Sequence, residues 1–279
     1  MYEAHFGFRE LPFTLTPNTH FFLNAASHQR AFDTVRVALE SLEGFIKVVG
    51  EVGTGKTLLC RALLGALKDP FYTAYVPNPC LEPLDLYCTL ARELGLDVED
   101  LTRAHSVLDR IQQRLIELAA EGRQVVLFVD EAQALPESTM EAVRLLTNLE
   151  TESRKLLQVV LFGQPELDVL LNQPHLRQLK QRITFQERLQ PLTPDEVAQY
   201  IRHRVGAAGY NGPELFDRRA LRAVAVSSRG IPRLVNILCH KSLLAAYGDG
   251  ARSVGRSHVK RAVADTESAW PLPWYAGVF

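Results

Sequence analysis

Residues 50–57 read Gly-Glu-Val-Gly-Thr-Gly-Lys-Thr, the full G-x-x-x-x-G-K-T spacing of a phosphate-binding loop. An apolar run, Phe45-Ile46-Lys47-Val48-Val49, leads in, and Leu58-Leu59-Cys60-Arg61-Ala62-Leu63-Leu64 leads out. Strand, loop, helix is the order this chemistry needs. Gly50, Gly53 and Gly55 let the backbone close on phosphate oxygens with no Cβ in the way. Glu51, Val52 and Thr54 fill the turn, whose backbone N–H groups face an anion together with the helix N-terminus. Lys56 reaches the β- and γ-phosphates, Thr57 offers its hydroxyl to Mg²⁺, and Leu58 completes the segment. The ligand so implied is ATP with Mg²⁺.

A second motif adds the means of hydrolysis. Residues 125–133 read Val-Val-Leu-Phe-Val-Asp-Glu-Ala-Gln. Five apolar residues suit a strand buried on both faces, and the run ends in two adjacent carboxylates. Asp130 is placed to hold Mg²⁺ through its water shell. Glu131, one residue on, is the candidate to polarise the attacking water.

These groups must be carried by a scaffold, and the bulk composition allows one. The chain has 279 residues, 47% hydrophobic and 23% charged, with a net charge of −1 and a pI near 6.7. Nothing global favours nucleic acid or an anionic membrane as partner, although a local basic patch is compatible with these totals. Cys60, Cys80, Cys88 and Cys239 have no C-x-x-C spacing and read as small core residues in a reducing compartment. Met1-Tyr2-Glu3-Ala4-His5-Phe6 lacks the charged and apolar regions of a signal peptide. No apolar run approaches the ~18 residues of a membrane span. The expectation is a cytoplasmic protein without a direct membrane span.

Five apolar runs, at 45–49, 72–76, 125–129, 157–162 and 183–189, read as strands. Helical segments separate most of them, among them 83–94 and 105–121, the last with Val107, Leu108, Ile111, Leu115 and Leu118 at helical spacing, and a further helix is read at about 27–42, ahead of the first strand. Alternation of this kind predicts an α/β fold, a five-stranded parallel sheet sandwiched by helices, with ligands at the carboxyl ends of the strands. Beyond about residue 191 only helical patterns follow, at 194–207, 217–227, 231–247 and 256–268. Thr193, Pro194 and Glu196 have the spacing of a capping box with proline in the first turn. Gly206, Gly209 and Gly212 mark the loop after that helix. The predicted domains are an α/β nucleotide-binding domain over 1–190, a helical lid over 191–268, and an aromatic tail over 269–279.

Asp-Glu-Ala-Gln-Ala-Leu, Asn-Leu-Glu-Thr-Glu, Gly-Gln-Pro-Glu-Leu, Leu-Arg-Gln-Leu-Lys-Gln-Arg-Ile and Gly-Ile-Pro-Arg follow the phosphate loop in that order. Phe6-Gly7-Phe8, Pro12-Phe13 and Thr16-Pro17-Asn18 stand before it. In this order, from residue 2 to about 265, the chain resembles the ExeA/GspA-like AAA+ ATPases. The resemblance implies a P-loop AAA+ module that hydrolyses ATP with Mg²⁺ and forms a homo-oligomer, with a hexameric ring as the family expectation. It further implies support for assembly of a type IV, MSHA-like pilus or related secretion apparatus, with partners among biogenesis proteins at the inner membrane. ExeA and GspA carry a membrane segment and a peptidoglycan-binding region after the ATPase. Neither occurs in these residues, which favours the pilus-type members. The alternative is an ATP-dependent DNA-binding regulator like the more distant TnsC. Net charge favours the first, so no nucleic acid is expected.

The same resemblance implies further roles. Gln164, after the fourth strand, matches the position that senses the γ-phosphate or attacking water. Arg182, and after it Arg177, match the arginine that enters a neighbouring subunit's site. Arg233, in Gly230-Ile231-Pro232-Arg233, matches the lid arginine that reaches ATP. Asn78 reads equally as a turn residue or as a hydrogen-bond partner for Glu131. Phe21, Phe22, His28 and Gln29 lie where the family packs near adenine, although aromatics there serve equally as core. Arg202-His203-Arg204 and Arg218, Arg219 and Arg222 read as solvated helix faces or as phosphate-backbone contacts. Trp270 and Trp274 either dock on a partner or fold back on their own domain.

Overall fold

The computed structural model describes residues 2–16, 21, 25–77, 81–98, 103–150 and 155–272. In chain order the first helices are α1 (Glu3–Phe6), α2 (Ala26–Glu40), α3 (Lys56–Ala66) and α4 (Pro83–Glu93). Then come α5 (Ala104–Ala120), α6 (Glu137–Leu146), α7 (Glu166–Leu171) and α8 (Arg177–Arg182). The last are α9 (Pro194–Ala207), α10 (Arg218–Ser228), α11 (Pro232–Gly248) and α12 (Arg256–Ala264). The strands are β1 (Phe45–Gly50), β2 (Phe71–Val76), β3 (Gln124–Val129), β4 (Leu157–Gly163) and β5 (Phe185–Leu189).

The chain divides into two compact units. One takes Ala26–Val52 and Leu59–Leu189; the other takes Met1–Ala25, Gly53–Leu58 and Gln190–Phe279. The first unit holds the sheet, parallel throughout, in the order β2-β3-β4-β1-β5. A strand with neighbours on both sides and helices on both faces has no polar face to show. All seven residues of β4, Leu-Gln-Val-Val-Leu-Phe-Gly, are accordingly buried. β5, at the edge, instead alternates between half-buried and exposed residues over its first four positions.

That alternation fixes two helices on opposite faces, because successive strand side chains point opposite ways. Glu187 accepts a hydrogen bond from Thr34 Oγ1 of α2 at 2.9 Å. Its neighbour Arg188 pairs with Asp168 of α7 at 3.3 Å, on the face where Lys47 of β1 meets Asp168 at 2.5 Å.

In the second unit the capping box predicted for α9 is present. Glu196 N–H donates to Thr193 Oγ1 at 3.3 Å, and Thr193 N–H donates to Glu196 Oε2 at 2.8 Å. The amino-terminal aromatics, read from the sequence with the α/β domain, lie here instead. Tyr2, Phe6, Phe8, Phe13 and Phe21 are buried in one apolar cluster with residues of α9, α10, α11 and α12.

Arg204 explains part of that grouping and corrects the reading of Arg202-His203-Arg204 as a solvated face. Two residues on a helix are about 200° apart, so Arg202 and Arg204 face opposite ways. Arg202 is exposed and paired with Glu214 at 2.6 Å. Arg204 is buried; its Nε donates to the Pro12 carbonyl at 2.6 Å, its Nη1 to Tyr200 Oη at 2.8 Å, and its guanidinium lies over the Phe21 ring.

Several boundaries move. β5 starts at Phe185, not 183, because Ile183 N–H still donates to Lys180 in the last turn of α8. Gly206 lies inside α9, and Gly209 takes φ +90° in the turn that follows. α12 ends at Ala264. Trp270 folds back on its own unit, its backbone N–H donating to the Ser227 carbonyl at 2.8 Å, with Arg229 over its ring. Cys60 and Cys239 are buried and Cys88 is half-buried, all as free thiols. Asn78, Cys80, Phe22, Pro17, Asn18, the Thr151-Glu152 part of Asn-Leu-Glu-Thr-Glu and Trp274 lie outside the described residues. Among the described residues no helix is long and apolar enough to cross a membrane.

Candidate nucleotide site

The site is built from three strand ends. β4 lies between β1 and β3 and is in register with both, Val49 opposite Gly163 and Val129 opposite Leu161. The carboxyl ends of β1, β4 and β3 therefore stand side by side. They carry Gly50, Gln164 and the Asp130-Glu131 pair. A polar group placed after a buried strand is held by the strand's own ladder, so these positions are set by the rigid part of the fold.

The phosphate loop runs from Gly50, the last residue of β1, to Lys56, the first of α3. Gly53 and Gly55 have φ +81° and +98°, in the left-handed region. At Gly53 close approach adds a second demand. A Cβ there would lie 2.7 Å from Arg233 Cβ, and Arg233 N–H donates to the Gly53 carbonyl at 3.2 Å. Thr54 and Lys56 are buried, Thr57 and Leu58 are half-buried, and Glu51 and Val52 face solvent.

Asp130 is 2% exposed, and its Oδ1 accepts from Glu131 N–H at 2.9 Å. It lies by α3. Burial pushes the Cys60 thiol up, and the Asp130 charge adds to the effect. Burial likewise pushes Tyr75 of β2 up to about 12, with Cys60 and Asp130 contributing. The donor set suits Mg²⁺, a hard cation that prefers oxygen. Asp130 brings a buried carboxylate. Among the described residues no group of three or more His, Cys, Asp or Glu could hold a metal by itself. Mg²⁺ seldom needs such a cage, because phosphate oxygens and waters complete its shell.

Glu131 has φ 51° and ψ 37°, a left-handed conformation costing a non-glycine residue roughly 1–2 kcal/mol. Its Oε2 accepts from Gln133 Nε2 at 2.7 Å and from Gln164 Nε2 at 3.0 Å. The structure thus brings Gln164 to Glu131. Gln133 was given no role from the sequence, since its partners depend on the backbone at Glu131 rather than on any spacing.

The arginines part company. Arg177 is the first residue of α8 and is exposed. Arg182 is the last, half-buried, and its Nη1 donates to Thr147 Oγ1 at 3.0 Å. Arg233 is in the first turn of α11, beside Gly53.

Strand order, phosphate loop and helical second unit together decide the fold. The chain is a P-loop AAA+ module. Residues 39–171 match the AAA domain family. The Cdc6p structure from Pyrobaculum aerophilum is similar with a TM-score of 0.68 at 19% identity, over 94% of this chain and 70% of that one. The Aeropyrum pernix ORC2 protein, solved as ADPNP–ADP complexes, is similar with a TM-score of 0.66 at 15% identity, over 92% and 73%. At these identities the likeness speaks for the AAA+ fold alone. In sequence the chain is 41% identical over 254 residues to General secretion pathway protein A of Aeromonas hydrophila. That match supports the kinship with ExeA/GspA-like AAA+ ATPases. It takes in 91% of this chain and 46% of the relative, so the AAA+ module spans about half the length of that relative.

Proposed function

We propose that this protein binds and hydrolyses ATP with Mg²⁺, and that the cycle supports assembly of a type IV pilus or related secretion apparatus. The observation behind the reaction is the alignment of Gly50, Gln164, Asp130 and Glu131 at the ends of three neighbouring strands. Lys56 and the loop N–H groups bind the phosphates. Thr57 and Asp130 are the residues that would hold Mg²⁺, which would supply charge neutralisation at the phosphate oxygens. Glu131 takes the proton of the attacking water, Gln164 orients that water against the γ-phosphate, and Arg233 lies against the loop from α11. The active form is a homo-oligomer, with a hexameric ring as the family expectation. Arg182, or failing it Arg177, stabilises the transition state in a neighbour's site.

The biological assignment is supported by the likeness to General secretion pathway protein A. Within that group we assign the chain to the MshM kind, the ATPase of MSHA pilus biogenesis. It works in the cytoplasm and meets the inner membrane through a partner.

Titration of Lys56→Ala and Glu131→Gln with labelled ATP tests the reaction. Lys56→Ala should lose nucleotide affinity, because phosphate charge goes unmatched. Glu131→Gln should bind ATP and turn it over slowly. Normal turnover in Glu131→Gln would sink the assignment. Duplex DNA at two salt concentrations tests the partner class. Tight, ATP-dependent binding at physiological salt, weakening steeply as salt rises, would replace the pilus reading with a DNA regulator.

A further inference from the structure

The turn after β3 is more tightly tied than a strand end needs to be. The left-handed backbone at Glu131 starts a short 3-10 turn, Ala132–Ala134, and brings Gln133 back toward the Glu131 carboxylate. Gln133 Nε2 donates to Glu131 Oε2 at 2.7 Å. At its other end Gln133 Oε1 accepts the Gln164 backbone N–H at 2.9 Å. A backbone N–H can only donate, so the Gln133 amide has one orientation, oxygen toward the β4 turn and nitrogen toward the carboxylate. Gln164 closes the ring through its own Nε2, 3.0 Å from the same Oε2.

We infer that Gln133 is a positioning residue, registering the Glu131 carboxylate against Gln164 so that base and γ-phosphate sensor act as one unit. This rests on the reading of Glu131 as the group that activates water. A general base works only with its lone pair aimed within hydrogen-bond reach of the proton it takes, and a misplacement near 1 Å can cost ~10² in rate. Glutamate has three side-chain rotors, and two donors on one oxygen restrain them together. The last residue of β4 leaves room for this arrangement: a Cβ on Gly163 would lie 3.3 Å from Gln133 Oε1 and 2.6 Å from Leu167 Cδ2.

Steady-state ATP hydrolysis by the full chain tests the inference, using Gln133→Ala, Gln133→Asn and Gln133→Glu beside Glu131→Gln. In Gln133→Ala kcat should fall ~10-fold or more, within the ~10²-fold scale of such misplacements, while KM for ATP stays within about twofold. Gln133→Asn should fail similarly, because an amide one methylene shorter cannot span both partners. Gln133→Glu keeps the size and the acceptor for Gln164 N–H, but sets a second carboxylate against Glu131. Turnover should then fall as it does in Gln133→Ala, with KM for ATP again within about twofold of the wild type. A glutamine with a merely structural role would not separate kcat from KM in this way. Wild-type or faster turnover in Gln133→Ala overturns the inference, as does wild-type turnover in Gln133→Glu. If Gln133→Ala does not fold, the kcat of Gln133→Glu decides. Normal turnover in Glu131→Gln would remove the reading beneath it. Slow Glu131→Gln with wild-type Gln133→Ala would remove only the role given to Gln133.

Discussion

Arg233 touches the phosphate loop through its backbone before its guanidinium is considered: its N–H donates to the Gly53 carbonyl at 3.2 Å. The loop carbonyl therefore has a partner on α11, and the first turn of α11 has one of its unsatisfied N–H groups met. Gly53 is where this contact is most exacting. Its φ of +81° disfavours any side chain, and the space a Cβ would take is filled by Arg233.

Gly53→Ala should therefore impair nucleotide binding without touching a charged group. The backbone penalty alone is about 1–2 kcal/mol, and the clash adds to it. We expect affinity for labelled ATP to fall at least ~10-fold, which corresponds to about 1.4 kcal/mol. Unchanged affinity would show that the loop can leave Arg233 freely.

The arginine after the fourth strand is best tested by mixing. Arg182→Ala and Lys56→Ala should each be nearly inactive, and a mixture should recover activity because intact half-sites then meet. Trans arginines are worth ~10³–10⁵ in rate, so even partial recovery is measurable. Arg177→Ala run in parallel decides between the two. Arg182 has a second role to separate, its hydrogen bond to Thr147, and Thr147→Val shows how much of any loss is structural. Absence of rescue with both arginine variants would refute a trans arginine on α8.

Arg204 should matter to stability rather than to chemistry. Arg204→Ala removes the donor to the Pro12 carbonyl and the cation over Phe21. Loss of a buried, hydrogen-bonded charge with its packing is worth about 2–4 kcal/mol. Thermal unfolding should shift down, and limited proteolysis should cut earlier near Pro12. A melting curve like that of the wild type would show that the amino-terminal stretch is held without it.

Acid should weaken the same unit. Tyr2 Oη and His240 Nδ1 are 2.8 Å apart, and burial holds the His240 pKa below its ordinary value, opposed by the nearby Glu3 charge. The unfolded chain then binds a proton more readily than the folded one. Stability is complete above the ordinary histidine range and falls as pH drops through it, toward the lower folded value. The unfolding midpoint should drop between roughly pH 7 and 5, and His240→Asn, which keeps an acceptor for Tyr2, should flatten that slope. Equal slopes in the two proteins would assign the acid sensitivity elsewhere.

Much of this was legible in the chain because it is local. The strands follow from unbroken apolar runs, and α9 from Thr193, Pro194 and Glu196, whose hydrogen bonds span three residues. The phosphate loop was readable because glycine spacing and flanking periodicity are both properties of one segment. What escaped is long-range or conformational. Arg204 looks like its exposed neighbour Arg202 until Pro12 is placed beside it. The partners of Gln133 follow from a left-handed backbone at Glu131, which no residue type announces. Phe21 reads equally as core, but whose core it joins, and that Tyr2, Phe6, Phe8 and Phe13 join it too, depends on packing with helices distant in sequence.

That packing has a consequence for the order in which the molecule can be made. The core of the helical unit joins Tyr2, Phe6, Phe8, Phe13 and Phe21 to α9, α10, α11 and α12. On a ribosome those five rings emerge before the sheet, and their partners come only after the entire sheet has been translated. Domains complete themselves as their residues appear, and apolar surface without partners aggregates. The sheet can therefore close while the opening segment is still waiting. A nascent chain stalled after β5 would carry a folded sheet and an unshielded aromatic segment, a natural target for chaperones that bind emerging apolar segments.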